Sequence, residues 1–145
     1  MKVISWNILN IDYERKYNPN SNTIKQYPNE ETRQYKIIDT IKENITIDTT
    51  VCLQECSSTT LRLLRSEFLT HDMFYIKIRH NEYLITLTPK YLKCVMEVFP
   101  QSLYSTTANG YLIVSSDSNR FVNCHLIPTD RDWETFHYTF QIFWS

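Results

Sequence analysis

One glycine, Gly110, serves a chain of 145 residues. Phosphate-cradling loops and dinucleotide-binding turns each draw on several glycines, so a P-loop and a dinucleotide fingerprint are excluded. The four cysteines, Cys52, Cys56, Cys94 and Cys124, form no Cys-x-x-Cys pair and show no zinc-ligand spacing. Two of them lie in apolar strand-like runs, where a free thiol behaves as a small hydrophobe. An excess of either charge is missing as well, with 15 Lys and Arg against 16 Asp and Glu. With a net charge of −1, no global field recruits nucleic acid or a membrane, and any phosphate recognition has to be local. No apolar run approaches membrane-spanning length, and no charged leader with a long apolar segment opens the chain. The expectation is an intracellular, soluble, cytoplasmic protein with no membrane contact. Asn44-Ile45-Thr46 is formally a glycosylation sequon, and without a secretory signal it reads as chance.

What is present suits one globular domain. An apolar fraction of 42% and an aromatic fraction of 14% support a core, and a chain of this size buries roughly two-thirds of its unfolded surface. Lys2 to Leu9 is rich in β-formers and predicts a strand. Asn10 to Pro28 is polar, rich in Asn and Tyr and punctuated by Pro19 and Pro28, which predicts a long loop. Asn29 caps a helix whose core face is Ile37, Ile38, Ile41 and Ile45. The next strand is Val51-Cys52-Leu53-Gln54-Glu55, an apolar run suited to burial on both faces that ends in an amide and a carboxylate. A right-handed crossover sets these two strands parallel, with Asn7 and Glu55 at one sheet edge.

Ser57 to Thr60 caps a second helix carrying Leu61, Leu64 and Phe68. The period then drops to two. Phe74, Ile76 and Ile78 alternate, His80-Asn81 turns, and Tyr83, Ile85 and Leu87 alternate again. Val95 to Phe99 is a further strand. Tyr111 to Ser115 and Arg120 to Leu126 flank a four-residue loop and predict a hairpin. The tail after Thr129-Asp130 fits either helix or strand, with the cap favouring helix.

Three signatures stand in order: Ile4-Ser5-Trp6-Asn7-Ile8-Leu9, Val51-Cys52-Leu53-Gln54-Glu55, and Phe121-Val122-Asn123-Cys124-His125-Leu126. Together they resemble the endonuclease/exonuclease/phosphatase superfamily, magnesium-dependent hydrolases with a deoxyribonuclease-I-like fold. The Asn-Ile-Leu ending, the Tyr-rich segment after it and the helix containing Arg33 look most like the deadenylase and nocturnin-like branch. Leu9 and Asn10 stand where abasic-site endonucleases place an acidic residue and glycine, which sets that branch aside.

The resemblance implies an α/β (α+β) fold: a mixed β-sheet with helices on one face, half of the four-layer αββα sandwich of the family. It implies that Glu55 ligates Mg²⁺ (or Mn²⁺), that Asn7 stands beside it as ligand or phosphate-orienting amide, and that His125 acts catalytically by donating to a phosphate oxygen. The partner it implies is nucleic acid, RNA ahead of DNA, or another phosphodiester. Each residue taken singly has a bland alternative, a turn former for Asn7 and a core histidine for His125. His71, His80 and His137 match no motif and read as surface residues. Arg15, Lys16, Lys25 and Arg33 read as solvated charges able to meet phosphates, and Tyr13, Tyr17 and Tyr27 as residues able to stack on bases.

The family's later motifs, a Gly-Asp-x-Asn and a closing Asp-His, are not found in residues 1–145. The expectation is therefore a truncated, N-terminal half-domain. It should bind Mg²⁺ weakly through Glu55, be inactive by itself, and leave one sheet face bare for self-association or a second polypeptide. Two alternatives stand beside it: a non-catalytic interaction protein using that face, and a truncated reading frame without its own function.

Overall fold

The computed structural model describes residues 1–97 and 110–125. Two sheets carry the chain. In the first, β1 (Lys2–Asn7), β2 (Thr49–Cys56), β4 (Glu82–Pro89) and β3 (His71–Arg79) lie side by side in that order. β1 runs parallel to β2, and the other neighbours are antiparallel. The second sheet is an antiparallel array of β5 (Val95–Glu97), β6 (Gly110–Ser115) and β7 (Arg120–His125). The expected mixed sheet with helices on one face is present. The tail after residue 125, with its expected helix, and the end of the Val95–Phe99 strand lie outside the described residues.

Alternation along the strands divides the interior into two cores. Val51 and Leu53 of β2 and Ile85 and Leu87 of β4 face α3 (Glu30–Asn44) and α4 (Ser58–Arg65), meeting Ile37, Ile38, Ile41, Leu61 and Leu64. Residues of the opposite parity, Phe74, Ile76, Ile78 and Leu84, pack against Leu112, Val114 and Phe121 of the second sheet. Period-two patterning buried on both sides is what made β2 read as a continuous apolar run. Both helices start at caps. Asn29 Oδ1 accepts from Thr32 N at 3.0 Å, and Ser57 forms a capping box with Thr60.

The bare face expected from the sequence is not bare. Leu112 and Val114 do not line an empty sheet surface; they belong to a second sheet that covers the first. Gly110 shows how closely the layers approach, since a Cβ there would lie 3.1 Å from Ile78 Cγ1. The one glycine of the chain thus serves sheet-to-sheet contact.

Asn10 to Pro28 also departs from expectation. It contains two short helices, α1 (Ile11–Tyr17), capped by Asn10, and α2 (Asn22–Gln26), capped by Ser21. Of these helical residues only Ile11 is fully buried, so there was no apolar stripe to reveal them. His71 is a second correction. It is buried, with Nε2 2.8 Å from Thr49 O and Nδ1 2.9 Å from Thr70 Oγ1, and ties β3 to β2 from inside. Among the described residues no helix is long and apolar enough to cross a membrane.

Asn123 ties the two sheets together across their interface. Asn123 of β7 is buried and donates from Nδ2 to Leu53 O at 3.0 Å and to Ile85 O at 2.9 Å, while its Oδ1 accepts from Gln54 Nε2 at 2.7 Å. Those two carbonyls sit where the β2–β4 register slips, because β2 advances from Leu53 to Cys56 while β4 goes only from Ile85 to Tyr83. The extra residue is a bulge, and Asn123 takes up the acceptors beside it. Replacing Asn123 by Leu strands these groups in a dry interface. Urea denaturation should show a loss of about 2–4 kcal/mol, and a loss below about 0.5 kcal/mol would mean that the bridge carries little.

Candidate functional site

Glu55 sits in that bulge. Strand alternation would send its side chain to the helix face with Val51 and Leu53. Its backbone is left-handed instead, with φ 58°, and the carboxylate turns to the end of the sheet. Left-handed backbone is uncommon for residues other than glycine and clusters at functional sites.

Three N–H groups from distant segments meet this carboxylate. Asn7 Nδ2, at the end of β1, donates to Oε1 at 2.8 Å; the Asn10 backbone N–H donates to Oε2 at 3.1 Å; and His125 Nε2, at the end of β7, lies 3.0 Å from Oε1. An ionised carboxylate only accepts, so this last contact fixes a proton on Nε2. The hydrogen bond from His125, followed by those from Asn7 and Asn10, outweighs desolvation and holds the Glu55 carboxyl down to about 2. Asn7 and His125, named from sequence with Glu55, therefore both contact its carboxylate.

The approach to Glu55 is held from behind by residues the sequence reading did not single out as structural. Arg33 read as a solvated, phosphate-meeting charge, but it is buried. Its Nη1 donates to Ile8 O at 2.7 Å and its Nη2 to Leu9 O at 2.8 Å, while Glu30 neutralises it at 2.7 Å. Arg33 thereby clamps the two peptides after Asn7, across Leu9, which is itself left-handed at φ 63°. Asn7 Oδ1 accepts from Leu9 N at 3.0 Å and closes the same turn. Asn10 donates from Nδ2 to Asn81 O at 2.7 Å, and Asn81 in turn reaches Asp12 and the Ser58 N–H. A turn-forming Asn was legible at position 81; its joining of α1, α4 and β4 was not.

Tyr13 is also positioned by the hairpin. Its hydroxyl donates to His80 O at 2.7 Å and the Arg79 guanidinium carbon lies 3.4 Å from its ring centroid. Tyr17 stacks on Tyr13 with centroids 6.4 Å apart and is itself largely exposed. Arg79 therefore covers the Tyr13 ring, and Tyr17 is the ring of the pair left open to solvent. Lys16 Nζ lies 5.1 Å from the Tyr17 centroid.

Glu82 was missed altogether. It opens β4, is fully buried, and together with Glu55 and His125 offers ligand atoms that all lie within 4.8 Å of one another. Carboxylate oxygen is the donor that a hard divalent cation selects. Glu55 Oε2 accepts only one hydrogen bond among the described residues and keeps a lone pair for such an ion.

No family model matches the chain, and no curated protein matches it. Solved structures do. A truncated Caenorhabditis elegans TDP2 superposes with a TM-score of 0.65 at 18% identity, over 97% of this chain and 51% of that one. A humanized D. rerio TDP2 with 14 mutations gives 0.64 at 14% identity, over 97% of this chain and 53% of its own. D. rerio TDP2 complexed with a single-strand DNA product gives 0.61 at 14% identity, again over 97% of this chain and 51% of that one. The chain has their fold. It spans about half their length. TDP2 is tyrosyl-DNA phosphodiesterase 2, which has the deoxyribonuclease-I-like fold implied by the sequence signatures.

The depressed Glu55 carboxyl carries a pH signature. Its contribution to stability is fully present above the unfolded carboxyl range, near 4.5, and is lost as pH falls through about 2. At full strength the shift corresponds to about 3 kcal/mol, reduced because the carboxylate is still partly wet. In metal-free buffer, urea midpoints should fall more steeply for the natural chain than for Glu55→Gln between pH 4.5 and 2. Parallel curves would show that the convergence of donors on Glu55 does not stabilise the fold.

Proposed function

We propose that this chain is the N-terminal, ion-binding and phosphate-binding half of a Mg²⁺-dependent phosphodiesterase of the nuclease type. The observation that carries the reading is the convergence of Asn7, Glu55 and His125 at the ends of β1, β2 and β7, on a fold shared with a phosphodiesterase. Glu55 would hold the ion, whose chemistry is to polarise a phosphoryl oxygen and lower the pKa of a bound water. Asn7 keeps the site's charge down, because its amide engages Glu55 and Leu9 without adding a charge. His125 carries one Nε2 proton, committed here to Glu55. A phosphate oxygen entering beside Glu55 competes for that proton, which is how His125 would stabilise charge developing on phosphate.

Single-stranded nucleic acid is the substrate class that this reading favours, because Tyr17 leaves an exposed ring on the helix that Asn10 caps and one TDP2 neighbour is complexed with single-strand DNA. The sequence resemblance to deadenylases keeps oligoadenylate RNA in view. None of the four cysteines is in a disulfide, which suits an intracellular setting. Residues 1–145 by themselves should turn over far below an enzyme-like rate, since Glu55 and His125 are bonded to each other and the Asn7 amide cannot act as a base.

The test uses the full chain with fluorescein-labelled single-stranded DNA and oligoadenylate. Mg²⁺ at millimolar level should tighten binding about 3–10-fold, as one ion bridging to phosphate does, and Glu55→Gln should remove that increment. Binding that ignores both Mg²⁺ and Glu55→Gln overturns the reading. Cleavage at an enzyme-like rate that disappears in both Glu55→Gln and His125→Ala would show instead that this half suffices.

A further inference from the structure

Glu82 has a bonding deficit that the site described so far leaves unexplained. Its Oε2 accepts from Arg79 Nε, whereas Oε1 has no hydrogen-bond partner among the described residues and no exposure to solvent. Buried carboxylate oxygens are normally satisfied, and one that is not is costly. A cation spans a wider gap than a hydrogen bond. Oxygens on opposite sides of a divalent ion stand about 4–5 Å apart, twice a metal–oxygen distance of about 2.0–2.6 Å. Glu55, Glu82 and His125 place their ligand atoms within 4.8 Å of one another, inside that span.

Charge points the same way. Two carboxylates face each other here, and Arg79 neutralises only one of them. The other described partner is His125, whose Nε2 is already engaged with Glu55 Oε1. Arg79 is anchored on the other side by the Tyr13 ring at 3.4 Å. The open positions are therefore one lone pair on Glu55 Oε2 and both on Glu82 Oε1.

We propose that Glu82 is a second carboxylate ligand of the divalent cation, so that the ion is held between β2 and the start of β4 rather than on Glu55 alone. This rests on the reading above that Glu55 holds an ion. It revises the weak site expected from the sequence, where Glu55 was the one carboxylate available.

Electron paramagnetic resonance of free Mn²⁺, titrated into the full chain after chelator treatment, measures this without any turnover. The natural chain should bind one Mn²⁺ with a dissociation constant on the order of micromolar, and Mn²⁺ should raise its melting temperature. Glu82→Gln should weaken binding at least about tenfold and abolish the melting shift, since a lost carboxylate removes both charge and an oxygen. Glu55→Gln should do the same or more. Because Glu82→Gln leaves Arg79 without its partner, the charge-neutral pair Arg79→Gln with Glu82→Gln is measured beside it, with circular dichroism confirming the fold. Binding lost in Glu55→Gln but unchanged in folded Glu82 variants overturns the Glu82 assignment and leaves Glu55 as ligand. Binding that is absent, or untouched by Glu55→Gln, overturns both. Should neither Glu82 variant fold, the natural chain decides, since a dissociation constant on the order of millimolar is what a single carboxylate gives.

Discussion

A glutamate in left-handed backbone, in a chain with a single glycine, is the constraint on which this structure turns. Glu55 at φ 58° gives up roughly 1–2 kcal/mol relative to ordinary backbone. Hydrogen bonds to a charged group each return about 1.5–3 kcal/mol, and three converge on this carboxylate. The balance therefore favours the strained conformation only while the donors are in place. Those donors come from the end of β1, the turn after it and the end of β7, so the strain is a toll on assembling both sheets. Losing either Asn7 or His125 narrows that margin, and losing all three donors reverses it.

The surroundings keep those donors fixed. Arg33, buried and neutralised by Glu30, holds the peptides of Ile8 and Leu9, which lie between the two donors contributed by Asn7 and Asn10. Leu9 is left-handed as well, in a slot that glycine commonly fills. The inter-sheet bridge from Asn123 to Leu53 O and Ile85 O secures the other side, two residues before His125 and two before Glu55. The second and third signatures thus each supply one group to the sheet interface and one to the sheet end. Gln54 and Asn123 bind the sheets together, with 2.7 Å between them, while Glu55 and His125 meet at the sheet end.

Much of this was legible in the sequence, for identifiable reasons. Helices α3 and α4 announce themselves through caps and an isoleucine or leucine stripe, and β3 and β4 through strict alternation. Asn7, Glu55 and His125 stood out through the three ordered signatures and the superfamily they resemble, each residue alone having a bland alternative. What stayed hidden depends on contacts between distant segments. Arg33 reads as a solvated charge until the Ile8 and Leu9 carbonyls are placed against it, and His71 reads as a surface residue until Thr49 O meets it. Helices α1 and α2 lacked an apolar stripe. Glu82 had no sequence signal beyond its place after a turn, because a glutamate there is usually solvated.

The second sheet changes what the half-domain reading means. A lone sheet with helices on one face would expose an apolar surface and invite association. Here the face opposite the helices is covered by β5, β6 and β7, with Leu112, Val114 and Phe121 inserted among Phe74, Ile76 and Ile78. The layer that covers the core also delivers His125 to Glu55, so packing and site formation are one event. Sheet-to-sheet contact fixes His125 only because β7 is in register with β6, where Gly110 pairs with His125 itself. The lone glycine, placed where Ile78 allows no larger residue without yielding, therefore sits opposite the catalytic candidate in the ladder. A side chain at position 110 would have to displace Ile78 by a few tenths of an ångström, directly across the ladder from His125.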